Sequence, residues 1–164
     1  MTYSALKILI CHAKKSAFGC ALFVAWALLA GLSAPAAAAP LIQKIGPALS
    51  HPWGMDFFDD QHLFVTERSG NLYLVDLLTG KRDTIGNLPL VQATRQGGML
   101  DVAVYRSQGD DDVTIYLCYS LLIGDKTVTA IDKAGFDGTD LTNRQTIFKS
   151  NNPAVTAIHY GCRL

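Results

Sequence analysis

Beyond residue 50 the chain is written in short stretches that alternate apolar and polar side chains, broken every six to ten residues by Gly, Asp, Asn or Ser. His62-Leu63-Phe64-Val65-Thr66-Glu67 and Asn71-Leu72-Tyr73-Leu74-Val75-Asp76 are rich in branched and aromatic residues, and Ser69-Gly70 separates them. Such runs predict strands, because a pleated, half-buried surface favours these side chains and Gly-containing pairs turn the chain. Counting 52–57 as the first and 81–85 as the fourth, the turns at 58–61, 69–70 and 79–80 delimit four antiparallel strands. The layout recurs at 99–105, 113–120, 126–132 and 145–149, with loop signals at 109–112, 124–125 and 137–140.

Two sets of four strands, each of roughly 45 residues and each with a Gly-led inner strand, match the period of β-propeller blades. The fold class expected is therefore all-β, a β-propeller represented by about two blades. A sandwich also gives many short strands with regular turns. The grouping into two similar fours favours the propeller.

The first residues follow a different pattern. Lys7, Lys14 and Lys15 precede the apolar stretch 17–32 and the small-residue run Ser33-Ala34-Pro35-Ala36-Ala37-Ala38-Ala39-Pro40. A charged flank, a short apolar core and a small-residue end are the marks of a secretory signal peptide. We expect it to span 1–38, cut near Ala38 or Ala39, and to leave one domain over 39–164. The protein is then exported, periplasmic or secreted, with no stable membrane anchor, since an anchor needs about 20 apolar residues.

Setting that leader aside changes the charge balance. Three of the 14 basic residues and none of the 14 acidic ones lie in it, so the remainder is mildly acidic, 11 against 14. A basic footprint for nucleic acid is missing. Of four cysteines, Cys11 and Cys20 leave with the leader, and Cys118 and Cys162 reach an oxidising compartment. Two cysteines without framework spacing could pair, or could be a strand residue and a small residue in a tight segment. No spacing suggests a metal site. The Asp110-Asp111-Asp112 loop lacks the alternating ligands of a calcium loop and reads as a solvated turn.

Two segments could carry chemistry. In Arg95-Gln96-Gly97-Gly98-Met99-Leu100-Asp101, paired glycines allow close backbone approach or positive φ before a buried inner strand. In the final run Thr156-Ala157-Ile158-His159-Tyr160-Gly161-Cys162-Arg163-Leu164, His159 offers an imidazole, a side-chain type that can act as a base at working pH. On residue type alone, both are as readily a loop junction and a surface histidine. The final run itself reads as the start of a strand.

Together with Leu49-Ser50-His51-Pro52-Trp53-Gly54-Met55-Asp56-Phe57 and Thr66-Glu67-Arg68-Ser69-Gly70-Asn71-Leu72, these segments resemble four signatures of the soluble PQQ-dependent aldose sugar dehydrogenases, the glucose/sorbosone dehydrogenase family. They are similar to its LxxPWxxxF strand, TERxGxL hairpin, QGGLLD segment and HFGSRL or HFGGRL segment, and occur in that order. The resemblance implies a six-bladed propeller, an aldose substrate, PQQ as cofactor, calcium held by parts of the family fold beyond these motifs, and an external electron acceptor. It implies that His159 takes the proton of the sugar's anomeric hydroxyl during hydride transfer, and that Gln96 contacts quinone or sugar.

Met99 stands where Leu is usual, Tyr160 for Phe and Cys162 for Ser or Gly, while Ile158 occupies a place where some members carry an Asp that orients the histidine. Trp53 and Phe57 are expected to fill the space between blades, Glu67 to pair with Arg68, and Asp101 to cap or hydrogen-bond its strand. Only the first third of a family member is covered. The expectation is a truncated, poorly stable chain, inactive alone unless completed, with oligomers possible. The alternatives are a non-catalytic assembly module and a nonfunctional truncation product.

Overall fold

Over residues 40–107 and 112–164, the parts described by the computed structural model, the alternation becomes eight strands. The leader expected at 1–38 lies outside the described residues, as do Asp110 and Asp111. One sheet comprises β1 (Pro52–Phe57), β2 (His62–Glu67), β3 (Asn71–Asp76) and β4 (Arg82–Thr84); the other comprises β5 (Met99–Arg106), β6 (Val113–Ile123), β7 (Lys126–Phe136) and β8 (Leu141–Lys149). Each is a four-stranded antiparallel meander in sequence order. All eight strands belong to one compact unit, Gln43–Leu164, in which β5 packs against β1 and β2. The expected all-β architecture, with two successive four-stranded blades, is the one observed.

Strand limits differ where turn chemistry decides them. β6 and β7 run in unbroken register to the pair Ile123↔Lys126 because Gly124-Asp125 closes a two-residue hairpin, with Gly124 at a φ of 62°. β8 begins at Leu141, four residues earlier than expected, since that side chain is buried beside Phe136 in the core. The final run is not a strand. His159 and Gly161 have φ of 61° and 37°, and left-handed residues cannot continue an extended ladder.

The core joins both sheets. Phe64 and Leu72 meet Met99, Val102, Leu117 and Tyr119, and the rings of Phe58, Phe64 and Phe136 close a triangle with centroids 5.2–5.5 Å apart, all edge-on. Trp53 and Phe57 do not pack between these two sheets. They are 51% and 62% exposed, because Gly54 and Asp56 occupy the face of β1 turned toward the second sheet. A side chain at position 54 would not fit there: a Cβ would stand 2.8 Å from backbone atoms of Leu100 and Asp101.

Between the sheets runs a buried polar seam. Register is irregular at 52–55 in β1 and at 99–102 in β5, and such bulges leave backbone groups outside the ladder. The fully buried Thr66 hydroxyl serves one group from each, donating to the Leu100 carbonyl at 2.6 Å and accepting from the Gly54 amide at 2.9 Å. The Asp56 carboxylate accepts from the Val104 amide at 2.7 Å, and the Arg68 carbonyl accepts from Met99 N at 3.2 Å. These contacts fix β5, and with it the loop that precedes β5.

Candidate functional site

The loop 92–98 is bent back on itself by its glycines. Gly98 has a φ of 145°, and a Cβ there would lie 2.0 Å from the Arg68 carbonyl oxygen. A Cβ on Gly97 would come within 2.6 Å of the Gln92 carbonyl oxygen. The Ser120 hydroxyl of β6 ties the bend together, accepting from Gly98 N at 2.7 Å and donating to the Gln92 carbonyl at 2.8 Å. The close approach that the paired glycines permit is thus to protein, namely Arg68 and Ser120. Arg68 also donates from its guanidinium to the Arg95 carbonyl at 2.6 Å, which presents Gln96 at the exposed tip.

Gln96 meets the His159 segment across 63 residues. Its side-chain oxygen accepts from the His159 backbone amide at 2.8 Å, and its own amide donates to the Ala157 carbonyl at 3.1 Å. Both candidate residues named from the sequence are therefore brought together, through the main chain of His159. The imidazole is exposed, and among the described residues no side chain hydrogen-bonds to it. Ile158 occupies the position that could have held an orienting carboxylate, and Gln96 holds the His159 backbone, not its ring.

The rest of the segment is held by side chains of the second sheet. Thr129 donates to the Tyr160 carbonyl at 3.0 Å, and the Tyr160 hydroxyl donates to Thr127 Oγ1. Thr127 and Ala154 exchange backbone hydrogen bonds at 2.9 and 3.1 Å. Cys118 and Cys162 form a disulfide with Cα atoms 6.4 Å apart, which decides between the two readings left open by the sequence. Asp101, 3% exposed, accepts from Leu164 N at 2.7 Å and faces the Arg163 guanidinium at 3.7 Å, so it fixes the distant segment, not its own strand.

His159 borders a cleft of about 100 Å³ whose wall is rich in hydroxyls and amides: Thr127, Thr129, Ser150, Asn152 and Tyr160. On the other side of the segment, Thr94, Arg95, Val155 and Thr156 line a depression of about 320 Å³. A base exposed beside a hydroxyl-rich wall can take a proton from a polyol while neighbouring groups hydrogen-bond its other hydroxyls. Thr127, Thr129 and Ser120 carried no sequence signal, because threonine and serine in alternating strands read as ordinary strand residues. Among the described residues no group of three or more His, Cys, Asp or Glu side chains is placed to hold a metal ion.

Glu67 belongs to a separate cluster. It does not pair with Arg68; it accepts from Ser50 N at 2.6 Å, Asn71 Nδ2 at 3.0 Å and the Tyr73 hydroxyl at 3.4 Å. Burial opposes its charge, and these bonds outweigh burial, holding its carboxyl below the usual carboxylate range. Tyr119, buried on β6, has its phenol pushed up to about 12, first by burial and then by its 2.9 Å hydrogen bond to Asp132, which Arg144 also contacts.

Comparison with known proteins follows the same motifs. The profile of the Glucose / Sorbosone dehydrogenase family matches residues 49–164. The aldose sugar dehydrogenase YliI of Escherichia coli is 31% identical over 127 residues, 75% of this chain and 34% of that protein. The crystal structure of the soluble aldose sugar dehydrogenase from Escherichia coli in its apo form superposes with a TM-score of 0.65 at 30% identity, over 70% of this chain and 34% of that one. The PQQ-bound form of the Streptomyces coelicolor enzyme, 20% identical, shares the fold with a TM-score of 0.55 over 68% and 34%. The chain spans about a third of the length of the curated relatives it matches.

Proposed function

The chain belongs to the glucose/sorbosone dehydrogenase family, and from that premise we propose that it supplies the base-bearing wall of an exported quinoprotein that oxidises the anomeric hydroxyl of aldose sugars to lactones. Export rests on the leader pattern of residues 1–38; among the described residues no helix is long and apolar enough to cross a membrane. The observation that carries the reading is the junction of Gln96 with the His159 backbone, which ties two separated motifs into one exposed, hydroxyl-lined edge.

The residues present fit one side of such a site. His159 is open to a ligand, the Gln96 side-chain nitrogen has no partner among the described residues, and the exposed Arg95 lines the adjoining depression, a charge type suited to an anionic group. No carboxylate cluster suited to calcium is found among the described residues, so calcium is proposed to be held elsewhere in the complete fold. Bound PQQ would supply the two-electron acceptor for the sugar's anomeric hydride, later discharged to an external acceptor.

The protein's part begins with binding. Thr127, Thr129 and Asn152 would offer hydrogen bonds to sugar hydroxyls, and Gln96 Nε2 a donor near the reacting carbon. The neutral imidazole of His159 would take the anomeric hydroxyl proton at its free ring nitrogen, leaving the oxygen to become the lactone carbonyl. Gln96 holds the left-handed backbone of His159 at the border of the hydroxyl-lined cleft.

A chimera tests this directly: residues 49–164 replace the corresponding third of the Escherichia coli relative, PQQ and calcium are supplied, and aldose-dependent dye reduction is followed. We expect turnover, and a fall of about 10²–10⁴ in kcat for His159→Ala with the quinone absorbance retained. Unchanged kcat in that variant would remove His159 from the base role.

A further inference from the structure

The segment bearing His159 has no ladder of its own. From Thr156 to Leu164 it lies across the second sheet, held by scattered contacts partly open to water: Gln96 with Ala157 and His159, Thr127 and Thr129 with Tyr160, and Asp101 with Arg163 and Leu164. Bonds of this kind are individually weak, because water can replace either partner. A single covalent tie differs from them. Cys162 follows His159 by three residues and is bonded to Cys118.

The other end of that tie is a rigid point. Cys118 is fully buried on β6, in register with Ile131 of β7, between Leu117 and Tyr119, which pair with both neighbouring strands. Three residues reach at most about 10 Å, so the disulfide limits how far His159 can stray from β6. In the other direction, the nearest backbone tie to the sheet is the Thr127–Ala154 bridge, five residues before His159 and made of exchangeable hydrogen bonds, so the tie at Cys162 is both shorter and covalent.

We propose that the Cys118–Cys162 disulfide is the positioning element of His159, a strut that keeps the histidine against Gln96 and beside the hydroxyl-lined cleft. The proposal rests on the base reading of His159 only for its catalytic consequence; the restraint itself is independent of it. Cys118 and Cys162 act through His159, and neither touches the cleft.

Two measurements test it on the oxidised 164-residue chain. Non-reducing peptide mapping should show 118 and 162 linked; two free thiols overturn the strut. Amide hydrogen exchange should then show His159 and Leu164 exchanging about tenfold faster or more in Cys162→Ser than in the oxidised parent, with Phe64 and Leu117 unchanged, as local opening requires.

Equal acceleration of core amides would mean that the bond only stabilises the whole fold, and no acceleration at His159 would mean that it positions nothing; either result overturns the proposal. The double variant Cys118→Ala/Cys162→Ser, which leaves no buried thiol, provides a second preparation if the single variant aggregates. In the quinone-loaded chimera, Cys162→Ser should lower kcat about tenfold with KM nearly constant. Faster exchange at His159 with kcat unchanged would leave the strut standing and refute the base reading instead.

Discussion

Replacing Thr66 by Val keeps the shape of the side chain and removes one oxygen from the seam between the sheets. That oxygen serves two backbone groups outside their ladders, the Leu100 carbonyl at 2.6 Å and the Gly54 amide at 2.9 Å, at a residue with no exposed surface. A buried polar group left without its partner costs about 1–3 kcal/mol, so two orphaned groups cost about 2–6 kcal/mol, offset by roughly 1 kcal/mol for the added apolar methyl. The net expectation is a loss of about 1–5 kcal/mol, centred on about 3 kcal/mol, against the ~5–15 kcal/mol that stabilises a typical domain. Thr66→Ser keeps both bonds and loses one methyl, about 1 kcal/mol. Urea denaturation followed by far-ultraviolet circular dichroism reads the difference: for a loss of about 3 kcal/mol and a slope of about 2 kcal/mol per molar, the Val variant should unfold at a midpoint lower by about 1.5 M. A Val variant within about 0.5 kcal/mol of the parent, or a Ser variant worse than Val, would show that the hydroxyl does not hold the seam.

Two pH dependences follow from buried groups. Tyr119 has a folded pKa of about 12 against an ordinary 10, so its contribution is complete below pH 10 and is lost as pH rises toward 12; Tyr119→Phe should flatten that part of an alkaline denaturation curve, and an unaltered slope would count against the Asp132 contact. Glu67 is held below its ordinary value, so its contribution is present above that range and disappears as pH falls through the lowered folded pKa. Glu67→Gln should therefore reduce stability at neutral pH and shrink the stability difference from the parent in acid, measured by thermal melts from pH 7 to 3. A difference that stays constant over that range would exclude Glu67 as the titrating group.

Much of the fold was legible because its signals are local. Alternation set the strands, and Ser69-Gly70, Gly124-Asp125 and the Asp-rich turns set their order, since side-chain direction along a strand and turn geometry depend on a few consecutive residues. Locality reaches its limit at β1: alternation showed that Trp53 and Phe57 share a face, and could not show that the opposite face, with Gly54 and Asp56, meets the second sheet. Glu67 and Arg68 were adjacent and opposite in charge, yet Glu67 ends β2 while Arg68 opens the turn, and each found a partner elsewhere.

The sequence by itself determined the strand succession, the family motifs and the identities of Gln96 and His159 as candidates. Only the tertiary structure decided that Gln96 grips the His159 backbone, that Asp101 receives the end of the chain's last segment, that Thr66 bridges two bulges, and that Cys118 pairs with Cys162. Those contacts join residues separated by 12 to 63 positions. No local pattern encodes them, because they depend on where bulged and left-handed backbone leaves a polar group unpaired and on which side chain the packing of β5 against β1 and β2 brings within reach.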